Sequence, residues 1–529
     1  MIKQMKKTGM RHVSSWTARS SALLLLAPFA SANTTEPTTP PASGEEDIRH
    51  SSDVRMTEHT SDVFAPDPVN TMGFDPVENE KIYGGKTPIV TERPWLELGR
   101  ELYVRGPFKE GLDWFGEKNL IWPWLMVFGD WRTAAGVNDN NDATAADNAS
   151  IATQLTLDID IKLTATERVH GTIRPFEKGG RFTEIDLRDN NEAEERDLFL
   201  DLDLDALFFE GDVGAIMTGI TGRPSRFDMP FAFGLMPLLV QNGVWIEDAF
   251  NGLAFTIPAR NSKALNISNY DVTFFAGFDD VTSGALRGQA MVNGLPTGAI
   301  SESNAAVIGA NTFIEANEGY WEAGYGYTRI QKSSMFLGNN GDLDYHNLTV
   351  AFTQRFGAFI SNSVRAIFNF GQESSTKTAD GLLLLVENSL ITTKPSTLVP
   401  YANFFVGINR PQALARAANA GGVLKNTGIN FETDGLTGFP KLTDTGADAY
   451  GGAVGLEYLF ALDKQLVIEV AAQDSHGRKS DLAGAETALG VRFQMPISHR
   501  FIVRADAMVG AISGDDDVAG VRLEFRWKF

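Results

Sequence analysis

Seven histidines and no cysteine are what this 529-residue chain offers for nucleophilic or metal chemistry. His12 lies in a basic leader, His50 and His59 in a Pro- and Thr-rich stretch, and His476 and His499 in expected connections, which leaves His170 and His346 in patterned segments. Nucleophilic catalysis needs a nucleophile, a base and an orienting group within hydrogen-bond reach. His346 brings no accompanying serine pair, so no catalytic residue, metal site or cofactor is expected. The charged residues fall instead into ladders. Asp197, Asp201, Asp203 and Asp205 alternate with Leu198, Leu200, Leu202 and Leu204, and Asp158, Asp160 and Lys162 with Leu157, Ile159, Ile161 and Leu163. Such acids could hold calcium, but no Gly-bearing loop wraps an ion there, and solvation of a wet face is the simpler reading. Arg355, Arg365, Arg492, Arg504, Arg522 and Arg526 hold the same polar side of their own segments.

A period of two places successive side chains on opposite faces of a strand. In the last segment Val521, Leu523, Phe525, Trp527 and Phe529 share one face, and Arg522, Glu524, Arg526 and Lys528 the other. The same alternation recurs backwards through 501–509, 466–473, 450–460 and 348–355. Strands are expected near 122–134, 151–163, 166–177, 196–209, 212–222, 250–259, 269–279, 304–315, 319–330, 344–356, 362–371, 381–392, 398–408, 447–460, 464–474, 482–495, 499–510 and 518–529. That is eighteen, or sixteen if the weakly patterned first and fifth are set aside. Short turns at 210–212, 357–361, 461–464 and 496–499 alternate with long polar loops at 135–150, 178–195, 223–249, 280–303, 331–343, 409–446 and 474–484. Short periplasmic turns and long outer loops are the habit of a bacterial barrel. No repeated period supports a solenoid.

The fold class expected is therefore all-β, a transmembrane antiparallel β-barrel over 121–529. Residues 1–32, with five bases, the apolar run Ala22 to Ala30 and Ala30-Ser31-Ala32, read as a signal peptide. Without those bases the formal charge of −21 becomes −26, which excludes nucleic acid as a ready partner. Residues 33–94 read as a disordered periplasmic arm, and 95–120 as a lumen-filling or periplasmic piece. Apart from the leader no apolar run approaches the ~18 residues of a spanning helix. On a barrel wall charges avoid lipid, so Asp158, Asp160, Asp201, Asp203 and Asp205 should line the lumen on its acidic side and the six arginines on its basic side. Either a transverse field or salt bridges between neighbouring strands follows. The 223–249 loop, with Phe227, Phe231, Phe233 and Trp245, is too apolar to float free; it is a constriction, a trimer contact or an extra hairpin. Phe525, Trp527 and Phe529 form the C-terminal pattern read by the barrel-assembly machinery.

Gly222-Arg223, taken as a strand end, with Trp245-Ile246-Glu247-Asp248-Ala249-Phe250-Asn251-Gly252-Leu253 as a return strand, resembles the alginate-export family of outer-membrane barrels. The resemblance implies export of an anionic polysaccharide through a basic lumen. The many inward acids depart from that. The expectation is an outer-membrane, porin-like channel for passive passage of polar or charged solutes, a small polar solute or a polysaccharide, with weak cation preference. A structural or adhesive barrel without an open pore is the alternative, with an outer-membrane barrel enzyme behind it. Outer-membrane lipid and lipopolysaccharide would be its surroundings.

Overall fold

The computed structural model describes residues 95–98, 124–139, 147–164, 166–178, 181–187, 196–286, 290–292, 295–297, 305–330, 343–357, 359–373, 377–394, 397–417, 420–432, 435–460 and 464–529. The leader, the arm and most of 95–120 lie outside the described residues. Eighteen antiparallel strands form the wall. They are β1 Trp124–Asp139, β2 Asp147–Lys162, β3 Arg168–Ile173, β4 Leu204–Asp212, β5 Pro230–Val240 and β6 Ile246–Ser262. Next come β7 Ile267–Asp279, β8 Ala305–Ala316, β9 Gly319–Ile330, β10 Tyr345–Phe356, β11 Ile360–Phe370 and β12 Leu382–Leu390. The circuit finishes with β13 Leu398–Ile408, β14 Ala449–Phe460, β15 Lys464–Ser475, β16 Glu486–Pro496, β17 Phe501–Ile512 and β18 Val518–Lys528. Pairing of β18 with β1, from Asp130 opposite Lys528 to Asp139 opposite Ala519, closes the sheet. Closure leaves the wall no open edge, the condition for a sheet to stand in hydrocarbon.

The alternation read in the sequence is the alternation of the wall. On β18 Val521, Leu523 and Phe525 are exposed on the outside while Arg522 and Glu524 are buried inside, and on β10 Leu348 and Val350 face out while Asn347, Thr349 and Ala351 face in. Leu96–Leu98 pairs with 125–127 of β1, continuing the sheet beyond the end of β18, where the Trp95 and Phe529 rings meet edge to face at 6.0 Å.

Two expectations about the early strands are corrected. Residues 212–222 are not a strand. They hold a helix, α1 (Val213–Thr221), N-capped by the Asp212 carboxylate, which accepts from the Ala215 N–H at 2.6 Å, and ended by Gly222 at φ 64°. The fifth wall strand is β5, inside the segment expected to be the 223–249 loop. The eighteen survive because one strand was misplaced, not added. The strand expected over 196–209 is ladder-paired only at 196–197 and from Leu204 onward, and 198–203 runs irregularly with Leu198, Leu200 and Leu202 exposed. Its partner β3 likewise stops at Ile173 and resumes along β2 at 181–186 after an excursion through Arg174 and Glu177.

Candidate functional site

The lumen is the candidate site, and among the described residues two pieces of chain enter it. The first is the far half of the β5–β6 hairpin. β5 pairs with β4 only from Pro230 to Leu235, and β6 pairs with β7 only from Asn251 onward, so 236–250 leaves the wall on both sides. Ile246 through Phe250 are all buried, which a wall strand with one face in lipid would not show. The hairpin turns at Gln241, Asn242 and Gly243, three consecutive residues with positive φ. Its tip reaches the inner face of β9 and β10. The Trp245 indole N–H donates to Asn347 Oδ1 at 2.9 Å, and the Thr349 hydroxyl donates to Gln241 Oε1 at 2.7 Å. Gly324 of β9 has no room for a side chain, since a Cβ there would stand 2.5 Å from the Trp245 ring.

The second is the long connection 409–448, of which the sequence reading makes 409–446 a polar outer loop. It folds inward and lines the interior. Leu414, Leu424, Phe431, Leu436 and Leu442 are fully buried. Its first part lies parallel to the hairpin tip, Ala415 and Arg416 opposite Ile246 and Glu247. Glu247 is buried between Arg416 Nη2 at 3.2 Å and Lys425 Nζ at 3.1 Å. Further on, Glu469 of β15 accepts from the Ile429 N–H at 3.0 Å, from the Asn430 N–H at 2.9 Å and from the Asn430 side-chain amide at 2.9 Å. Glu486 of β16 accepts from the N–H and hydroxyl of Thr443 at 2.9 and 2.7 Å. The far side reaches β1, whose Asn138 amide donates to the Thr437 carbonyl at 2.6 Å, and β18, where the Arg522 guanidinium lies 5.2 Å from the Phe439 ring centre. One connection thus touches the inner wall from β9 round to β1. Carboxylates that accept several N–H groups bind more strongly than neutral pairs, so Glu469 and Glu486 fix the loop to the wall.

The expected lumen charges are placed as follows. Asp158 and Asp160 face inward on β2. Asp158 accepts from the Thr172 hydroxyl at 2.8 Å, and Asp160 stands 3.9 Å from Arg168 Nη1 and 3.8 Å from His170 Nδ1. Asp205 lies 3.7 Å from Arg174, at an irregularity of the β3–β4 register. Asp201 and Asp203 fall in the irregular 198–203 stretch, Asp203 exposed, and not on a regular lumen-facing strand. Arg492, Arg504 and Arg522 converge on one carboxylate, Asp506, at 2.8 Å each. Arg492 also meets Glu432 of the loop at 3.2 Å. Arg365 pairs with Glu387 at 2.8 Å, Arg526 pairs with Asp130, and Arg132 pairs with Glu524 at 2.7 Å. Arg355 is exposed next to the β10–β11 turn. Salt bridges between neighbouring strands, one of the two arrangements left open by the sequence, are present. The basic side of the lumen carries its own counter-charges.

The aromatic set divides. Trp245 is in the lumen. Phe231 and Phe233 belong to wall strand β5, Phe233 exposed on the outside and both rings beside Phe209. Phe227 is exposed on the return from α1. The four do not come together inside the lumen; the segment hides its wall strand because it is apolar on both faces, outside toward lipid and further along inside the lumen. His346 has the outward parity expected, and its Nδ1 is 2.8 Å from the Tyr325 hydroxyl. Gly222-Arg223 caps a helix and ends no strand, so the motif carrying the alginate-export resemblance has a different structural setting here.

At the outer rim Asp448, just ahead of β14, clamps the two ends of the 409–448 connection to the β15–β16 connection. It accepts from the Asn409 N–H at 2.6 Å and the Lys479 N–H at 2.9 Å. Burial pushes its carboxyl up, but these two donors, with His476 and Lys479 nearby, outweigh that and hold it below the ordinary 3.8. A lowered folded-state value gives stability present above the unfolded value and lost as pH falls through the lowered one. Pepsin cleavage within 409–448 is therefore expected to stay slow down to about pH 4 and to rise only below it. In Asp448→Ala that acid-dependent step disappears. Equal cleavage of both proteins at every pH contradicts the clamp.

The fold is similar to that of Pseudomonas aeruginosa OccK5 (OpdH), with a TM-score of 0.47 and 11% identity over 77% of this chain and 98% of that one. Acinetobacter baumannii OccAB4 gives 0.48 and 10% over 76% and 97%. The Pseudomonas aeruginosa outer membrane protein opdK gives 0.46 and 12% over 77% and 98%. No protein-family model matches the sequence, and no curated protein matches it. The closed wall, apolar outside and charged inside, makes this chain a transmembrane β-barrel of the outer-membrane type.

Proposed function

We propose that this barrel is a narrow outer-membrane channel for passive passage of small polar solutes. The observation that carries the reading is the pair of inward segments, 236–250 and 409–448, packed inside a wall of eighteen strands. A barrel of that size without them encloses a wide aqueous lumen. With them the free cross-section shrinks, while the inner wall stays lined by charged and amide side chains that keep water in place. The alginate-type reading calls for a basic lumen and has less support, because the lumen arginines are paired with acids. A catalytic role has little support, since the inward His170 is engaged with acids, 3.8 Å from Asp160 and 3.5 Å from Glu210. The leader-like 1–32 and the Pro-rich 33–94 fit an exported chain with a periplasmic arm, and Phe525, Trp527 and Phe529 fit a strand read by the barrel-assembly machinery.

Liposome swelling with the purified protein tests the size limit. Monosaccharides and amino acids are expected to enter, and uptake should fall steeply for oligosaccharides of a few units. Equal swelling across that series contradicts the narrow-channel reading and restores the polysaccharide one.

A further inference from the structure

Helix α1 is amphipathic in the wrong sense for a soluble surface. It lies between β4 and β5, at the end of the barrel where the other connections are short. Val213, Ile216, Met217 and Ile220 follow the i, i+3, i+4, i+7 spacing of one helical stripe. The stripe opens toward its C-terminal half: Met217 is 45% and Ile220 67% exposed, while Val213 and Ile216 are half-buried. The helix instead turns its small and polar side to its own return segment. Gly214 abuts the Phe227 carbonyl, and the Thr218 hydroxyl donates to the Gly214 carbonyl at 2.8 Å and accepts from the Ser225 N–H at 2.9 Å. The return is tied back by Met229 N–H to Asp212 Oδ2 at 2.9 Å, so the stripe is held outward.

We infer that α1 is an interfacial anchor that lays its Val213-Ile216-Met217-Ile220 stripe into the periplasmic leaflet of the outer membrane, among anionic phospholipid headgroups. The inference rests on the membrane-barrel reading. Two observations select lipid as the occupant. The first is continuity: the strands leading into and out of the helix carry the outward aromatic cluster Phe209, Phe231 and Phe233, with Phe231 and Phe233 stacked at 6.3 Å and Phe233 exposed to the bilayer. The apolar wall surface therefore leads up to the strand ends, Asp212 and Pro230, from which the helix and its return depart. The second is charge. The helix itself bears no acidic or basic residue at either end, and the exposed Arg223 and Arg226 follow it directly, against the single exposed Asp228. Asp212 is engaged in capping the other end, so the cations gather on the exposed C-terminal side of an apolar stripe, an arrangement that suits a helix lying in a headgroup layer.

Because the chain has no cysteine, single nitroxide labels can be placed cleanly. Met217→Cys and Ile220→Cys would be labelled in phosphatidylcholine vesicles with and without phosphatidylglycerol, and power saturation read with oxygen and a water-soluble nickel chelate. Asp516→Cys on an outer connection is the water reference and Val521→Cys on the wall the lipid reference. Both helix labels are expected to favour oxygen over the chelate, at a depth of about 5–10 Å, and to move deeper when phosphatidylglycerol is present. Chelate access equal to that at position 516 overturns the anchor. Dipolar broadening between labels on separate copies overturns it too, and assigns the stripe to a second chain. No response to phosphatidylglycerol overturns the choice of anionic headgroups. Failure of the membrane-barrel reading itself is separately visible, as a water-like signal at position 521.

Discussion

Excision of residues 412–446, with Pro411 joined to Ala447 by a short Gly-Ser linker, is expected to raise single-channel conductance several-fold. The two ends of the connection are already together: the Asp448 N–H donates to the Asn409 carbonyl at 2.8 Å. Closing the gap therefore imposes no strain on β13 or β14, whose ladder runs from Leu398 opposite Tyr458 to Gly407 opposite Ala449 without the loop. The wall keeps its hydrogen bonds, so heat-modifiable migration should persist. A gentler version is Glu469→Ala, which leaves the Ile429 and Asn430 N–H groups without their acceptor. Unpaired buried groups of this kind cost about 1–3 kcal/mol each, and the expected result is a noisier channel that visits a wider state. Unchanged conductance after the excision would show that 409–448 does not limit the path.

The second large effect is expected at Asp506. This carboxylate is buried and is the shared counter-charge of Arg492, Arg504 and Arg522, on the adjacent strands β16, β17 and β18. Removing one member of a buried ion cluster leaves charge without compensation, a loss of about 3–5 kcal/mol where water is excluded. Arg504 keeps some contact with lumen water, so about 3 kcal/mol is expected for Asp506→Ala. A drop of that size in the free energy of unfolding from urea titration, seen as a lowered midpoint, with reversal potentials in a KCl gradient moved toward anions, is the expected outcome. Asp506→Ala combined with Arg522→Met should recover part of the stability, because two arginines then share Glu432 and the remaining lumen water. If the single variant unfolds at the wild-type midpoint, the cluster is not a structural element.

The wall was legible where one face meets lipid and the other meets water, because that contrast forces a period of two. Val521 to Phe529 and Leu348 to Phe352 show it plainly. It failed where the contrast is absent. Residues 230–240, Pro-Phe-Ala-Phe-Gly-Leu-Met-Pro-Leu-Leu-Val, are apolar on both faces: Phe233 meets lipid low on the wall, and Met236 and Leu238 are buried in the lumen higher up. A run without alternation resembles a sticky loop. Helix α1 was legible in principle, since Asp212 and the Val213-Ile216-Met217-Ile220 spacing signal a capped helix, but a segment of nine residues between strands invites a strand reading. The inward fold of 409–448 was not legible. Its polar composition matches an outer loop, and its burial depends on acceptors such as Glu469 and Glu486 far along the chain. The inward parity of the arginines was visible, whereas their partners were not, because register between strands decides which acid stands opposite which base.

Charge balance inside the lumen follows from the same pairing. Most arginines are matched by acids, while Glu469 and Glu486 are held beside the loop by neutral donors. At physiological salt charges beyond about 8 Å are screened, so these local carboxylates should set a weak preference for cations. Single-channel recording of the purified intact protein in a planar bilayer, under a KCl gradient, puts this directly to the test. Discrete small current steps with a reversal potential leaning toward cations are the predicted result; a silent bilayer, with protein shown to be inserted, would contradict the channel.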